Sequence, residues 1–390
     1  MNEMEIIRQH LDDDIPTLAL KDHWFGCYDK KWLLQQIQAR QKAKSKLPSL
    51  YGNFDFIFPP PLSVEQSSSE LTARYKSSLV QGNRLLDLTG GMGIDTMHFA
   101  QNFKSVLFVE KQKELALIAE QNFRNLNLPH IKVLNEDSME YLPHLPIADC
   151  IFLDPARRKA DKKVFRLEDC EPNILPHLST LLTKSDTILI KLSPMLDIKQ
   201  ILEKIPTTSS IHLVAVQNEI KELLVLITAS KKENVVINCV NIDKNGHQNL
   251  RIFPENLRQT AIDYATNPAR YIYEPHATIL KAGMMNAEAH QWKLQKLHPH
   301  SQLFTSNSLQ PEFMGRIFEV HSVFGLSKQE LRQHLAGISH ANITIRNFPI
   351  DEKTLRKKLK LKDGGDITLF ATTLYNQKHV LILTQLPPSQ

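Results

Sequence analysis

Short apolar segments alternate with amphipathic segments along the first half of the chain. The short segments suit buried strands, and the amphipathic ones repeat their apolar positions with the spacing of a helix. Strands that alternate with helices form a parallel sheet with helices on both faces, so we predict an α/β fold. The predicted strands are 84–88, 105–109, 131–134, 149–153 and 187–192, and the predicted helices are 95–102, 112–126 and 171–183.

The end of this sheet is predicted to differ from its beginning. Ile211 to Val216 and Glu222 to Thr228 are both strand-like, and only the short polar segment Gln217 to Lys221 separates them. Strands joined so closely must be antiparallel, whereas parallel strands need a long crossover. We therefore predict five parallel strands followed by a closing hairpin.

The segment before the sheet is predicted to be helical and then irregular, ending at Pro59-Pro60-Pro61. Leu62 to Val80 is predicted to form a further helix with Ser63 as its cap. Between Lys30 and Lys46 the chain carries six basic residues and no acidic one. This run is either a solvated helix face or a surface that contacts phosphates.

The second half of the chain has a different character. Val235 to Val240 and Leu250 to Phe253 flank Asn245-Gly246, which favours a hairpin, and 255–315 shows little periodicity. From Ile317 onward a βαβαββ order predicts a small independent module. Its predicted strands are 317–323, 342–346, 367–374 and 379–384, and its predicted helices are 327–336 and 352–360.

The last predicted helix is strongly basic. Leu355 and Leu359 give it a narrow apolar stripe, so its basic flank is predicted to point outward. Such a flank suits the phosphates of a nucleic acid, although a merely soluble helix has the same pattern. The basic residues are Lys353, Arg356, Lys357, Lys358, Lys360 and Lys362.

Composition narrows the class of protein. A chain of 390 residues predicts two or three domains, and a net charge of +5 permits a nucleic-acid partner without requiring one. The 4 cysteines and 16 histidines show no metal-ligand spacing, so we expect reduced thiols and no metal site. The chain lacks a signal-peptide pattern and any apolar run of about 20 residues, so we expect a cytoplasmic protein without membrane contact.

A glycine-rich turn follows the first strand, in the segment Asp87-Leu88-Thr89-Gly90-Gly91-Met92-Gly93-Ile94-Asp95. A dinucleotide fingerprint would need a third glycine where Thr96 stands, and the Gly-Lys-Ser/Thr of a phosphate-binding P-loop is absent. S-adenosylmethionine has no phosphate, and it needs close backbone approach and an acid at its amino-acid end. We therefore predict this cofactor, bound by Asp87, Thr89, Gly90, Gly91, Gly93 and Asp95.

Acidic residues follow each of the next three predicted strands. Glu110 stands where ribose hydroxyls would lie, Asp137 can accept a hydrogen bond from the adenine amino group, and Asp154 ends the fourth strand. Ligands of open α/β sheets bind beyond the carboxyl ends of the strands, so these acids are predicted to share one crevice with Asp87. Lys111 and Ser138, their neighbours in the chain, complete the predicted cofactor site.

These motifs resemble those of the class I S-adenosylmethionine-dependent methyltransferases, over about residues 62–230. The whole chain is similar to a family of bacterial methyltransferases with a C-terminal THUMP-like domain. The resemblance is carried by the glycine turn and by Leu62 to Glu70, Thr72 to Lys76, Leu153 to Arg158 and Tyr273 to Ala277.

The resemblance implies a domain organisation and a partner. It implies a Rossmann-like seven-stranded core with an N-terminal helical region and small C-terminal α+β modules. The implied domains are 1–61 (helical), 62–232 (methyltransferase), 233–316 (ferredoxin-like) and 317–390 (THUMP-like). THUMP domains elsewhere bind RNA, so the resemblance implies an RNA partner, either rRNA or tRNA.

The resemblance also makes Asp154-Pro155-Ala156-Arg157 the catalytic motif. Amine methyltransferases commonly carry Asn or Asp, then Pro-Pro and an aromatic residue, whereas this chain has Ala156 and Arg157 at the last two positions. Arg157 can stack on a base or hold a phosphate, and Phe165 is a candidate for the missing ring. Methylation at carbon 5 of uracil would need a cysteine after the fifth strand, where the chain has Ile190 to Met195 without one.

Further side chains are predicted beside this motif. Lys191 is predicted to face either a substrate phosphate or the Asp154 carboxylate. The basic loop Arg157-Arg158-Lys159 with Asp161-Lys162-Lys163 suits a polyanion, or is a solvated loop. Glu65-Gln66 and Tyr75-Lys76 are candidates to close over the cofactor.

The predicted function is methyl transfer from S-adenosylmethionine to a base of structured RNA, with a guanine exocyclic amine as one acceptor. The predicted catalytic residues are Asp154, Pro155, Arg157 and Lys191. Two alternatives stay open: a catalytically inactive RNA-binding protein that retains the fold, and a methyltransferase acting on protein or a small molecule. The sequence leaves the oligomeric state open.

Overall fold

The computed structural model describes residues 2–157, 166–228 and 234–387, and of Arg157 the backbone alone. The chain divides into two compact units. The first comprises Met1–Val216 and Lys221–Glu233, and the second comprises Gln217–Ile220 and Asn234–Gln390. The predicted domain boundary between residues 232 and 233 lies outside the described residues.

Seven strands form one layer of the first unit, and all of their residues belong to that unit except the first two of β9. They are β1 (Gly82–Asp87), β2 (Phe103–Val109), β3 (Ile131–Leu134), β4 (Cys150–Leu153), β7 (Thr187–Leu192), β8 (Thr208–Val216) and β9 (Glu219–Thr228), and a separate short pair is β5 (Ala156–Arg157) and β6 (Cys170–Glu171). Within this unit the strand order is β3-β2-β1-β4-β7-β9-β8. The first five are parallel, and β9 runs antiparallel to β7. The predicted parallel sheet with a reversed closing strand is confirmed.

Amphipathic patterns and side-chain caps explain why the helices of the first unit form where they do. In α8 the buried residues Leu115, Ala119 and Phe123 recur every four positions, so one stripe of the helix packs inward. In α3 the carboxylate of Asp29 accepts the first backbone N–H groups and caps the helix. The helices are α1 (Glu3–Gln9), α2 (Ile15–Leu20), α3 (Lys30–Ala43), α4 (Pro48–Tyr51), α5 (Pro61–Gln66), α6 (Glu70–Ser77), α7 (Ile94–Phe99), α8 (Lys113–Asn125), α9 (Leu178–Lys184) and α10 (Ile198–Lys204).

Two predicted helices were wrong in extent. The single helix expected from Leu62 to Val80 is two helices, because the chain is extended at Ser67, and Ser69 rather than Ser63 provides a side-chain cap. The helix expected at 171–183 begins at Leu178. Its predicted first turn is the short strand β6 followed by a 3-10 turn, since Pro172 and Pro176 disfavour an α-helix there.

The basic run between Lys30 and Lys46 serves the fold itself, which neither interpretation from the sequence anticipated. Arg40 is fully buried, and its guanidinium donates to the backbone carbonyls of Leu50, Tyr51, Asn53 and Phe56. Burial lowers the pKa of Arg40 to about 10. Such charge-assisted bonds hold the irregular segment after α3 in place.

Other members of the run are also engaged. Lys46 donates to the carbonyls of Val64 and Glu65 at 3.0 and 2.6 Å, so it caps the end of α5. Lys42 pairs with Glu65, and Lys44 lies 3.2 Å from a carboxylate oxygen of Asp12. These lysines therefore tie the N-terminal helices together.

The second unit contains a hairpin and a mixed sheet. The hairpin of β10 (Val236–Ile242) and β11 (Gln248–Pro254) is antiparallel, as predicted from Asn245-Gly246. The region 255–315, which showed little periodicity, contains short elements that the sequence pattern missed. The remaining elements are β12 (Tyr271–Pro275), α11 (Ala277–Ala282), α12 (Met285–Gln291), β13 (Gln295–Lys296), β14 (Phe304–Ser306), β15 (Gly315–Phe324), α13 (Lys328–His334), β16 (Asn342–Arg346), α14 (Glu352–Leu359), β17 (Ile367–Thr373) and β18 (His379–Gln385).

The mixed sheet has the order β13-β14-β12-β15-β18-β17-β16. Its last four strands with α13 and α14 give the predicted βαβαββ order. Glu274 of β12 is buried and accepts from Arg316 of β15 and Arg346 of β16. Three strands lie between β12 and β16 in the sheet, so this contact requires strong curvature.

The predicted orientation of α14, with its leucine stripe inward and its basic flank outward, is mostly confirmed. Leu355 is fully buried, while Lys353, Lys357 and Lys358 are exposed. Arg356 is an exception, because it bonds Glu352, Asp363 and the carbonyl of Ala341. The outward basic flank therefore consists of lysines.

Candidate active site

Four acidic residues lie at the carboxyl ends of four parallel strands. Asp87 is the last residue of β1, Glu110 and Asp154 directly follow β2 and β4, and Asp137 lies three residues beyond β3. Because β1 pairs in parallel with both β2 and β4, these ends meet at one edge of the sheet. The structure therefore brings the predicted acids to a common rim.

The glycine turn connects β1 to α7 and approaches the sheet closely. A Cβ atom on Gly90 would lie 2.3 Å from the ring of Phe108, so no side chain fits there. Gly91 and Gly93 have φ values of +55° and +80°, which favour glycine. The result is a bend with little side-chain bulk above the strand ends.

Glu110 fastens this turn to β2. One of its carboxylate oxygens accepts from the N–H of Gly91 at 2.7 Å, and the other accepts from the N–H of Gln112 at 2.7 Å. Glu110 is 7% exposed, so its carboxylate lies just beneath the rim. Lys111, beside it, pairs with Glu171 at 2.8 Å on the surface.

Asp87 is buried beneath the turn. It accepts from the backbone N–H of Thr89 at 3.1 Å and from the hydroxyl of Thr96. Burial raises its pKa to about 7, against the lowering effect of these bonds. Thr96, which replaces the third glycine of a dinucleotide fingerprint, thus has a structural role in this turn.

Asp154 stands beside the glycine turn and is paired with Lys191. Its backbone N–H donates to the hydroxyl of Thr89 at 2.6 Å, and its carboxylate lies 2.5 Å from the Lys191 ammonium. The Asp154 side chain is 33% exposed and that of Lys191 is 13% exposed. Of the two orientations predicted for Lys191, the structure has the one toward Asp154.

Asp137 and Ser138 lie in the turn after β3. Asp137 accepts from the N–H of Met139 at 2.9 Å, and Ser138 is buried. Pro155 is buried behind Asp154, and the backbone of Arg157 pairs with Cys170. Arg158, Lys159, Asp161, Lys162, Lys163 and Phe165 lie outside the described residues.

Asp95 faces inward from the start of α7. Its carboxylate accepts from the Ser68 hydroxyl at 2.7 Å and lies 3.2 Å from the ammonium of Lys76. Burial raises its pKa, but the charges of Lys76 and Lys191 outweigh that effect, and the pKa is lowered overall. Lys76 also pairs with Glu222, so it is buried among acids.

Sequence reasoning did not find Glu222 or Ser68, and it gave Lys76 a different role. Lys76 and Glu222 are 146 residues apart, and no local pattern signals their contact. Lys76 was a candidate to close over the cofactor, whereas its side chain is fully buried.

Comparison with known proteins shows which family the chain resembles. The models described as conserved hypothetical protein 95, ferredoxin-like domain and THUMP domain-like match residues 63–170, 271–313 and 315–386. Two curated proteins from strains of Mycobacterium tuberculosis are 21% identical to 88% of the chain, over 92% of their length. Both are named uncharacterised S-adenosylmethionine-dependent methyltransferases.

A solved structure from Porphyromonas gingivalis W83, named as a candidate methyltransferase, is 32% identical. The match covers 98% of this chain and 97% of that one, with a TM-score of 0.87. The chain belongs to this methyltransferase family. The predicted family and fold are confirmed: the protein is an S-adenosylmethionine-dependent methyltransferase with C-terminal ferredoxin-like and THUMP-like domains.

The residues of this methyltransferase fit its cofactor. At Gly91 an added Cβ would have no neighbour closer than 3.9 Å, so the backbone of the turn is open to close approach there. The described helices are all too short or too polar to cross a lipid bilayer. In the same parts of the chain, no three His, Cys, Asp or Glu side chains gather to suit a metal ion.

Proposed function

We propose that this methyltransferase modifies a base of structured RNA, either rRNA or tRNA. The observation that carries the proposal is the position of Asp154. Its backbone N–H donates a hydrogen bond to Thr89 of the glycine turn, and its carboxylate pairs with Lys191. A polar group so placed can orient an acceptor toward a methyl donor held by the turn.

Each rim residue receives a role in this proposal. Gly90, Gly91 and Gly93 shape the cofactor turn, with Thr89 linking it to Asp154. Asp87 faces the amino-acid end of the cofactor. Glu110 holds the ribose and Asp137 the adenine, in line with their places after β2 and β3. Lys111, Ser138 and Asp95 support these segments from their positions beside Glu110, Asp137 and the turn.

S-adenosylmethionine supplies a methyl group that its sulfonium already activates. The task of the chain is therefore orientation rather than strong base catalysis. The Asp154 carboxylate accepts a hydrogen bond from the acceptor amine and points the nitrogen lone pair at the methyl carbon. As the N–CH3 bond forms, the S–CH3 bond breaks, S-adenosylhomocysteine leaves, and the methylated nitrogen releases one proton to water. Lys191 holds that carboxylate in place by its ion pair, and buried Pro155 stiffens the backbone behind it.

A guanine exocyclic amine is the acceptor we propose, because an amine donates to a carboxylate. Ala156 and Arg157 replace the proline and aromatic residue common in amine methyltransferases. A guanidinium can stack on a base as an aromatic ring does, so Arg157 is assigned that role.

The RNA partner is supported by features of the second unit. Its last module matches the THUMP domain-like model, and Lys353, Lys357 and Lys358 are exposed on α14. Ammonium groups on an exposed helix face neutralise phosphates and raise affinity for a polyanion.

The test is transfer of tritiated methyl groups from S-adenosylmethionine to RNA, protein and small-molecule fractions of cells that lack this gene. We expect label in RNA, and a methylated guanosine that is missing from the RNA of those cells. We also expect Asp154→Ala to lower transfer by at least a hundredfold, while calorimetry shows cofactor affinity within threefold. Label confined to protein or small molecules would contradict the proposed substrate, and joint loss of binding and transfer would make Asp154 structural.

A further inference from the structure

A buried ionic cluster reaches the Asp154–Lys191 pair from inside the first unit. Lys76 of α6 donates to both carboxylate oxygens of Glu222 on β9, at 2.8 and 2.7 Å. The same ammonium lies 3.2 Å from the Asp95 carboxylate at the start of α7. The three side chains are 0%, 3% and 11% exposed, in the order Lys76, Glu222, Asp95. No motif contains Lys76 and Glu222 together.

Lys191 adjoins this cluster across the sheet. In the register of β7 and β9, Lys191 pairs with Leu224. Side chains two positions apart share a face of a strand, so Glu222 is the diagonal neighbour of Lys191 on that face. Burial lowers the pKa of Lys191, but the charges of Asp154, Asp95 and Glu222 raise it overall above its usual range.

The described cluster thus has two ammonium groups and three carboxylates. Without Lys76, Asp95 and Glu222 would lose the cation that they share, and both would attract Lys191 inward. Attraction between opposite charges is strong in a buried site, where water screens little. Asp154, at the exposed end of the cluster, would then lose its partner.

We propose that Lys76 and Glu222 are positioning residues for methyl transfer, because their ion pair neutralises the buried acids and leaves Lys191 to hold Asp154. This inference rests on the proposed role of Asp154. It adds that the position of the Asp154 carboxylate depends on Lys76 and Glu222, which are buried behind Lys191.

The test is a crystal structure of Lys76→Met together with its transfer rate to total RNA. We expect the Lys191 nitrogen to move more than 4 Å from the Asp154 carboxylate. The rate constant should fall at least tenfold, while calorimetry shows one S-adenosylmethionine bound per chain. A merely destabilised protein would show a reduced binding stoichiometry instead. If Lys76→Met does not fold, Lys76→Gln, which keeps a donor for Glu222, gives the same distance measurement.

The matched control is the double variant Lys76→Met, Glu222→Met. A buried ion pair can be replaced by apolar groups of similar volume with little loss of stability, so this variant should fold. It also removes one charge of each sign and leaves Asp95 as the one buried acid of the described cluster without Lys76, so Lys191 should lie closer to Asp154, and transfer should be faster, than in Lys76→Met alone.

The inference is overturned if Lys191 stays at its wild-type distance from Asp154 in folded Lys76→Met. It is equally overturned if the folded double variant transfers methyl groups no faster than the single one. Wild-type protein that labels no RNA would contradict the proposed function instead, and the Lys191–Asp154 distance would still decide the inference.

Discussion

Asp87 shows at the scale of one residue how the fold sets the chemistry of the rim. A carboxyl group that is almost completely buried is costly to ionise, even with two hydrogen bonds to its oxygens. Its pKa of about 7 means that the folded protein binds a proton that an unfolded chain releases near pH 4. A positively charged amino group nearby would favour the ionised form.

This difference makes Asp87 a source of pH-dependent instability. Between pH 4 and 7 the folded state holds more protons than the unfolded state, so stability falls as the pH rises through this range. Asp87→Asn removes the effect and keeps an oxygen acceptor for Thr89. We expect the variant to exceed wild type in the free energy of unfolding by up to about 4 kcal/mol at pH 8. The gap should narrow progressively below pH 7 in urea unfolding curves.

Asp149 is a control for which stability should change with pH in the opposite direction. Backbone hydrogen bonds from Arg84 and Asn83 lower its pKa, so its contribution to stability is present above the unfolded pKa and is lost as the pH falls. Asp149→Asn should therefore be less stable than wild type at pH 8, with the gap closing in acid. Parallel curves for Asp87→Asn and wild type at all pH values would show that Asp87 is not the titrating group.

The sequence predicts rim residues better than the residues behind them. Asp87, Glu110 and Asp154 stand directly at strand ends, where local patterns and parallel pairing determine their location. Lys76 and Glu222 meet only because α6 packs near β9, and nothing local distinguishes them from surface residues. The pairing of Lys191 with Asp154 could be predicted only as one of two alternatives, because it depends on the order of β4 and β7.

At the scale of elements, the glycine turn depends on the strand beside it. Phe108 of β2 fills the space under Gly90 and packs edge-on against Phe123 of α8, with ring centroids 5.3 Å apart. The ring is thus held from two sides and has little freedom to move. The same ring lies 3.6 Å from the position of a Cβ on Gly93. Strand β2, helix α8 and the turn therefore form one packed unit.

Gly90→Ala should disturb this unit. Its methyl group would lie 2.3 Å from the Phe108 ring, and overpacking of this kind costs about 1–3 kcal/mol. We expect S-adenosylmethionine affinity, measured by calorimetry, to fall at least tenfold because the turn must move. Gly52→Ala is the control, since nothing lies within 4 Å of its added Cβ and its φ is not positive. An alanine at position 90 that left affinity unchanged would show that the turn tolerates the shift.

Element boundaries were predictable where one signal dominated and failed where signals competed. Strands β1 to β4 were found within two residues, because apolar runs between polar segments are unambiguous. The helix expected at 171–183 has helical periodicity, yet Pro172 and Pro176 prevent its first turns. For Leu62 to Val80 the prediction placed the cap at Ser63, whereas the side chain that caps a helix there is that of Ser69, at the start of α6. The roles of Arg40 and Lys46 were misjudged because their acceptors are backbone carbonyls, which no sequence pattern displays.

At the scale of the whole molecule, catalysis and substrate binding are assigned to different units. The rim residues to which we assign the cofactor belong to the first unit, and the basic helix α14 belongs to the second. Lys353 and Lys357 are four positions apart on α14, so they share one exposed face. If RNA is the substrate, its affinity should depend on these lysines and cofactor affinity should not.

Lys353→Glu with Lys357→Glu should therefore weaken binding of total tRNA or rRNA while leaving calorimetric affinity for S-adenosylmethionine unchanged. We expect a loss of about tenfold at 0.1 M salt. The slope of log affinity against log salt concentration should become shallower by about 1–2, since each lost phosphate contact reduces it by roughly 0.7–0.9. Lys104→Glu with Lys132→Glu makes the same charge change on exposed residues near the amino ends of β2 and β3, away from the rim. An equal loss in both double variants would indicate a response to net charge alone, and no loss in either would exclude α14 from the RNA-binding surface.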